Sequence, residues 1–151
     1  MESSNRPVKF LFLRFSSIGD IVLTTPVVRR LKEQLPNAEI TYLTKPAFAS
    51  MLKNNPHVDE VATLDGSIKK AAQKLKYAHF DYIIDLHNNV RTWKLKNRLK
   101  TLSFAFRKLN YEKWLLVNFK NNKLPDLHIV DRYMETLQLF DVKDDGKGLD
   151  F

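Results

Sequence analysis

Apolar residues in this chain occur as short runs that alternate with amphipathic segments. The runs at 8–15, 38–44, 58–64 and 81–86 are rich in aliphatic and aromatic residues, which is typical of strands in a covered sheet. Helices are predicted between them at 21–35, 46–55 and 67–77. Because strands and helices alternate at this spacing, the sequence predicts an α/β fold with a parallel sheet and helices on both sides.

Beyond residue 90 the pattern is weaker. A basic helix is predicted at 91–100, a fifth strand at 102–106, and helices at 111–120 and 126–140. The last helix places four apolar residues on one face, namely Ile129, Tyr133, Leu137 and Phe140. The polar residues 141–151, rich in Gly and Asp, predict the start of an interdomain linker, so the first domain is expected to span 1–140.

Two local features refine these predictions. Pro26 lies inside the first helix, where the missing N–H implies a kink or a second helix start with Thr25 as its cap. The third strand begins with two acids, Asp59 and Glu60, which are expected near the edge of a sheet.

Composition excludes several classes of protein. With 151 residues, of which 44% are hydrophobic, the chain can form one globular domain with a core. It has no cysteine, which excludes disulfides and thiolate metal sites and fits a reducing compartment. No apolar run approaches the length of a membrane span, and residues 1–7 are too short and polar for a signal peptide. A cytoplasmic location is therefore expected.

Positive charge is concentrated in one segment. Residues 90–123 carry ten Lys or Arg residues and a single acid, Glu112, although the whole chain has a formal net charge of only +8. A solvated surface would mix both signs more evenly. An anionic partner is therefore expected, which can be nucleic acid, anionic lipid or a phosphorylated glycan.

Asp20 ends a polar turn between the first strand and the first helix. Ser16, Ser17 and Gly19 supply turn and capping residues there. Loops at the carboxyl ends of parallel strands line the ligand crevice, so Asp20 lies where a reacting group is expected; a helix cap is the alternative. A single glycine makes neither a dinucleotide fingerprint nor a P-loop, but the helix N-terminus can still accept a phosphate.

A second cluster, DLHNNVRT at 85–92, follows the fourth strand and is expected beside the same crevice. In it Asp85 repeats the position of Asp20. Asn88 can bind sugar hydroxyls or build the turn, and Arg91 can hold a carboxylate or phosphate with two hydrogen bonds. His87 is either a site residue or a turn histidine bonded to the backbone.

A third cluster, HIVDR at 128–132, places His128 and Arg132 on one helix face with Asp131. These residues can belong to the site, or they can form a cap and a structural ion pair. No metal site is expected, because one histidine and scattered carboxylates lack the spacing of metal ligands.

Together these motifs resemble those of glycosyltransferase family 9, the lipopolysaccharide heptosyltransferases. The matching stretches are RFSSIGDIVLTTPVVRRLK at 14–32, FDYIIDLHNNVRT at 80–92, EKWLLVNFK at 112–120 and HIVDRYMETL at 128–137. The resemblance implies a Rossmann-like, acceptor-binding N-terminal domain of a GT-B glycosyltransferase. The C-terminal donor domain, which would make most contacts to ADP-heptose, is expected to be absent from these residues.

The resemblance also implies an inverting, metal-independent transfer of heptose from ADP-heptose to the lipopolysaccharide inner core, without a cofactor and with Asp20 as the general base. The substrate-binding residues would be Ser16, Ser17, Gly19, Asp85, His87, Asn88, Arg91, Lys94, Arg98, His128 and Arg132. The enzyme would work at the cytoplasmic surface of the inner membrane, with no nucleic acid partner. This part alone is expected to be inactive.

A different class of function also fits the charge. A module without catalytic activity can bind nucleic acid or anionic membrane through residues 91–123. Such a module has no need of a carboxylate at Asp20, which favours the enzyme.

Overall fold

The computed structural model describes residues 6–105, 133–140 and 142. The elements in chain order are β1 Val8–Leu13, α1 Ile18–Gln34, β2 Ala38–Thr44, α2 Pro46–Lys53, β3 Glu60–Thr63, α3 Ile68–Lys76, β4 Tyr82–Asp85, α4 Val90–Leu99, β5 Ser103–Ala105 and a 3₁₀ helix at Glu135–Phe140. The helix predicted at 111–120 lies outside the described residues. Of the face predicted for the last helix, Tyr133 and Leu137 are buried, as expected, and Ile129 is not among the described residues.

The five strands form one sheet in the order β3-β2-β1-β4-β5, and every neighbouring pair is parallel. The predicted parallel sheet flanked by helices is therefore confirmed. The chain winds outward from β1 to β3 and then crosses to the other side of β1 to form β4 and β5. The strand order thus reverses between β1 and β4, which makes this the switch point where open α/β sheets bind ligands.

Two hydrophobic clusters cover the two faces of the sheet. The first contains Phe10, Phe12, Ile21, Leu52 and Leu137. The second contains Leu11, Leu13, Ala72, Ile83 and Leu95. Successive residues of β1 enter opposite clusters because side chains alternate along a strand, and each fully buried large side chain contributes about 1.5–3 kcal/mol. As a result α1 and α2 lie on one face, and α3 and α4 on the other.

Helix α1 continues through Pro26, so the predicted second start is not observed. Proline leaves the carbonyl of Val22 without its usual N–H donor four residues later. The hydroxyl of Thr25 donates to this carbonyl instead, at 2.7 Å. Thr25 therefore acts inside the helix, by replacing the missing donor, and not as an N-cap.

Strand β3 lies at the edge of the sheet, as its two acids predicted. Asp59 accepts from the backbone N–H of Ile40 at 2.7 Å and from Lys32 at 2.8 Å, which ties the edge to β2 and α1. Val142 is buried in the same cluster as α1, so core packing reaches at least this residue. Within the described residues no helix combines the length and apolarity needed to cross a bilayer.

Candidate active site

Two loops meet at the switch point. The first runs from the end of β1 to α1 and contains residues 14–17, and the second runs from the end of β4 to α4 and contains residues 86–89. Leu13 and Asp85 are paired in the sheet register, so both loops leave the sheet at the carboxyl ends of neighbouring strands. Because α1 and α4 then lie on opposite faces, this end of the sheet is where an open α/β fold is expected to place its ligand crevice.

Arg14 joins the two loops. Its Nε donates to the carbonyl of Ser16 at 2.7 Å, and its Nη1 donates to the carbonyl of Leu86 at 3.0 Å. Its Nη2 forms an ion pair with Oδ2 of Asp20 at 2.9 Å. The side chain is only 14% exposed. One guanidinium therefore holds both loops and the carboxylate in a fixed relative position, as its planar fork of donors allows.

Asp20 occupies the third position of α1, where it also caps the helix. Its Oδ2 accepts from the Ser17 hydroxyl at 2.9 Å and from the Ser17 N–H at 3.4 Å, in addition to the Arg14 ion pair. The side chain is 39% exposed. Every contact of the carboxylate within the described residues goes to Oδ2. Oδ1 has no partner there, so it is free to accept a hydrogen bond from a ligand.

Gly19 has no structural reason to be glycine. It lies in the first turn of α1 without a positive φ, and a Cβ added there would meet no atom within 4 Å. Glycine in a helix costs about 0.5–1 kcal/mol relative to alanine. Space above the first turn is therefore open, and Ser17 and Gly19 are both exposed, whereas Ser16 is half-buried.

Asp85 does not fit a direct contact with substrate. Its side chain is fully buried, and Oδ1 accepts from the N–H groups of His87 at 3.0 Å and Asn88 at 2.8 Å. Oδ2 forms an ion pair with Lys96 of α4 at 2.9 Å. Asp85 lies two residues after Ile83 on β4 and so shares its face of the sheet, towards α4 and away from Asp20. The prediction that both carboxylates open onto one crevice is therefore wrong: the two loops leave the same end of the sheet, but Asp85 is buried against α4 and only Asp20 is exposed. Asp85 instead holds the second loop in shape.

His87 takes the form of a turn histidine bonded to the backbone. Its Nδ1 accepts from the N–H of Phe15 at 3.1 Å, and its ring lies against the Phe15 ring, with the centroids 5.3 Å apart. The guanidinium of Arg91 also lies over the Phe15 ring, 5.3 Å from its centroid. Arg91 is thus positioned beside the first loop by a cation–π contact with Phe15.

The asparagines of the second loop build its turn. Asn88 has a positive φ of 52°, which asparagine tolerates better than most residues. Asn89 is the N-cap of α4, where its side chain accepts from the Thr92 N–H at 2.9 Å. Asn88 remains at the crevice, half-buried.

The remaining predicted site residues are more distant or lie outside the described part of the chain. Lys94 is exposed on α4. Arg98 lies eight residues after the start of α4, about 12 Å along the helix from the crevice, and lines a groove with α3. The predicted grouping of Arg98 with the crevice is therefore not found. His128 and Arg132 fall outside the described residues.

Sequence reasoning missed Arg14, Phe15 and Lys96 as parts of this site. Arg14 fell inside the strand predicted at 8–15, and its bond to Leu86 spans 72 residues of sequence. A charged residue at the carboxyl end of a buried strand, six residues before a carboxylate, was the one available indication.

No protein-family model matches the chain. Among curated proteins, it is 27% identical over 123 residues to lipopolysaccharide heptosyltransferase 1 of Campylobacter coli, which covers 78% of this chain and 36% of that protein. It is 24% identical over 139 residues to the lipopolysaccharide core heptosyltransferase OpsX of Haemophilus influenzae, covering 85% of this chain and 39% of that protein. The chain thus spans little more than a third of these relatives.

Solved structures agree with the sequence relatives. A glycosyl transferase of family 9 from Veillonella parvula aligns over 99% of this chain and 46% of its own, with a TM-score of 0.71 and 22% identity. The chain resembles heptosyltransferases of glycosyltransferase family 9. The E. coli heptosyltransferase WaaC, solved with ADP, aligns over 94% of this chain and 50% of its own, with a TM-score of 0.67 and 17% identity. The predicted resemblance is confirmed, and the sheet matches about half of a GT-B heptosyltransferase.

Proposed function

We propose that this chain is the acceptor-binding N-terminal domain of a glycosyltransferase that transfers heptose from ADP-heptose to the inner core of lipopolysaccharide. The heptosyltransferase relatives support the substrate class. E. coli WaaC, which shares the fold, has been solved with ADP and with ADP-2-deoxy-2-fluoro heptose. In this proposal residues 1–140 bind the acceptor, and residues 141–151 begin the linker to a donor domain.

The carboxylate of Asp20 is the general base of this reaction. Its Oδ1 accepts the proton of an acceptor hydroxyl, whose oxygen attacks the anomeric carbon of the heptose. The bond from that carbon to the diphosphate breaks, and ADP leaves with the electron pair. A single displacement of this kind inverts the anomeric centre, and it needs a base within hydrogen-bond reach of the hydroxyl. No metal is assigned a role.

The one observation that carries the proposal is the asymmetry of Asp20. One oxygen is held by Arg14 and Ser17, and the other is open to the crevice. A carboxylate that served only as a helix cap would not need a guanidinium to fix it at the switch point. Oriented in this way, the open oxygen can receive a proton without reorganisation.

The basic residues near the crevice bind the anionic acceptor. Arg91 is positioned by Phe15 at the mouth, and Lys94 is exposed one turn further along α4. Asn88 and the open backbone at Ser17 and Gly19 offer hydrogen bonds to sugar hydroxyls or phosphate. His128 and Arg132 remain predicted contributors. The enzyme works at the cytoplasmic face of the inner membrane as a peripheral protein.

The test is Asp20→Asn in the full-length enzyme, assayed for heptosyl transfer. Asparagine keeps a side-chain oxygen that can accept from Ser17, the N-cap of α1. A partly exposed ion pair contributes little, so the free energy of unfolding should change by no more than about 1 kcal/mol. Turnover should fall by roughly 10²–10⁴-fold, with the KM for acceptor nearly unchanged. Asp65→Asn, an exposed carboxylate after the edge strand, is the matched control and should keep full turnover. A stable Asp20→Asn enzyme with most of its turnover would leave Asp20 as a cap.

A further inference from the structure

The surface formed by α3 and α4 carries bases and no acids. Together the two helices contain eight Lys or Arg residues and not one Asp or Glu. Lys96 is paired with Asp85 beneath the surface. Among the described residues no carboxylate forms an ion pair with any of the other seven bases. The positive surface therefore extends to α3, which lies outside the basic segment found in the sequence.

A groove of about 380 Å³ runs between these helices. Its polar lining consists of four cations and two amides, namely Lys69, Gln73, Lys76, Asn97, Arg98 and Lys100. Lys69, Gln73 and Lys76 are spaced along one stripe of α3. Each of these six side chains carries a hydrogen-bond donor. The four cations line one groove, and no carboxylate lines it with them.

Helix dipoles do not account for this arrangement. Cations in the last turn of a helix are favourable, which explains Lys76 and Arg98. Lys69, however, lies in the first turn of α3, where the positive end of the dipole disfavours a cation. The positive charge of Lys69 therefore lowers the stability of α3, and binding of an anion would account for its presence.

An exposed aromatic side chain borders the groove. Trp93 is 62% exposed and lies one turn before Asn97 on the same face of α4. Val90, one turn before it, is 67% exposed. Tryptophan beside lysine is the combination enriched at membrane–water interfaces, where the indole enters the headgroup layer and the ammonium groups meet phosphate.

We infer that the α3–α4 groove docks the domain onto anionic lipid headgroups, with Trp93 inserted beside it. The inference rests on the proposed function only in taking a membrane as the partner. Arg98 in the groove lies about 12 Å along α4 from the first residue of the helix, and Trp93 lies between them, so docking places the crevice beside the membrane surface that carries a lipid-linked acceptor. Lipid is favoured over a soluble anion because phosphate alone would not need Trp93.

The experiment is sedimentation of the full-length protein with vesicles of phosphatidylglycerol and phosphatidylethanolamine. Lys69→Gln/Lys76→Gln removes two charges from the groove, and partitioning should weaken about 30-fold. Lys70→Gln/Lys74→Gln removes the same charge from the other flank of α3 and should bind almost as wild type. Trp93→Ala should also weaken partitioning. Equal losses in the two double variants, or equal binding to vesicles of phosphatidylcholine alone, would overturn the inference.

Soluble probes separate lipid from other anions. Inorganic phosphate or generic RNA at the same salt should not compete with the vesicles; tighter binding of RNA, or binding of phosphate that ignores Trp93, would refute lipid docking. Heptosyl transfer to a water-soluble acceptor fragment should be unchanged in Lys69→Gln/Lys76→Gln. If Asp20→Asn stays active while the groove variant loses vesicle binding, the proposed chemistry fails and the docking surface stands.

Discussion

Arg14 and Asp20 form an ion pair of 2.9 Å at the point where the two halves of the sheet diverge. The same guanidinium bonds the carbonyl of Leu86, which belongs to the other loop. The orientation of the proposed base is therefore tied to the end of β4 as well as to its own helix. Arg14 is a positioning residue in this arrangement, because each of its three nitrogens contacts the protein.

Arg14→Met should lower turnover by at least about tenfold and leave the KM for acceptor nearly constant, because Asp20 loses its orientation. In the Asp20→Asn background the same substitution should lower turnover little further, since both changes remove one function. Steady-state kinetics of the four enzymes measure this. The control is Arg6→Met, which breaks the pair between Arg6 and Asp81 at the amino ends of the strands, and this variant should be active. Additive losses would mean that Arg14 acts on the substrate directly.

Asp85 and Lys96 should be coupled in stability. Either Asp85→Asn or Lys96→Met leaves its partner without a counter-charge at a buried position, and each should destabilise the protein by about 3 kcal/mol. The double variant should recover a large part of that loss, because no buried charge remains. Urea unfolding of the four proteins provides the measurement. Single variants within 1 kcal/mol of wild type would show that the pair is solvated.

Thr25→Val should destabilise the protein by about 1–2 kcal/mol, because the carbonyl of Val22 loses the hydroxyl donor that replaces the missing N–H. Pro26→Ala restores a backbone N–H for that carbonyl and should rescue most of the loss in the double variant. Thermal and urea unfolding of both variants, alone and combined, test this. If Pro26→Ala fails to rescue, the hydroxyl matters through its packing instead.

Tyr42 should make stability fall at high pH. Burial raises its pKa far above the ordinary value near 10. Above about pH 10 the unfolded chain releases this proton while the folded chain keeps it, so wild type loses stability as the pH rises. At pH 8, Tyr42→Phe should be about 1 kcal/mol less stable, since the bond between Tyr42 and Thr24 is lost. The gap should shrink by pH 10.5 in urea unfolding; a constant gap would contradict the linkage.

The periodicity of apolar residues was enough to locate the strands and helices, because it reports burial directly. Strand β2 has the predicted bounds, and the edge position of β3 followed from its acids. The site was harder to predict. The sequence placed Asp85 at the correct end of the sheet. It did not show which face of the sheet the side chain would occupy, or that Lys96 of α4 would pair with it there. Arg98 was grouped with Arg91 as part of one run of charge, although seven residues of the predicted helix already separated the two by about 10 Å along its axis.

Asp85 and Asn89 hold the second loop through backbone hydrogen bonds within the protein alone. A loop that is ordered in this way has already lost its conformational freedom during folding. In the proposed function, acceptor binding then does not have to supply that entropy, so a larger share of the contact energy appears as affinity. Loosening the loop at Asn89 would weaken the acceptor complex without removing any group that touches the sugar.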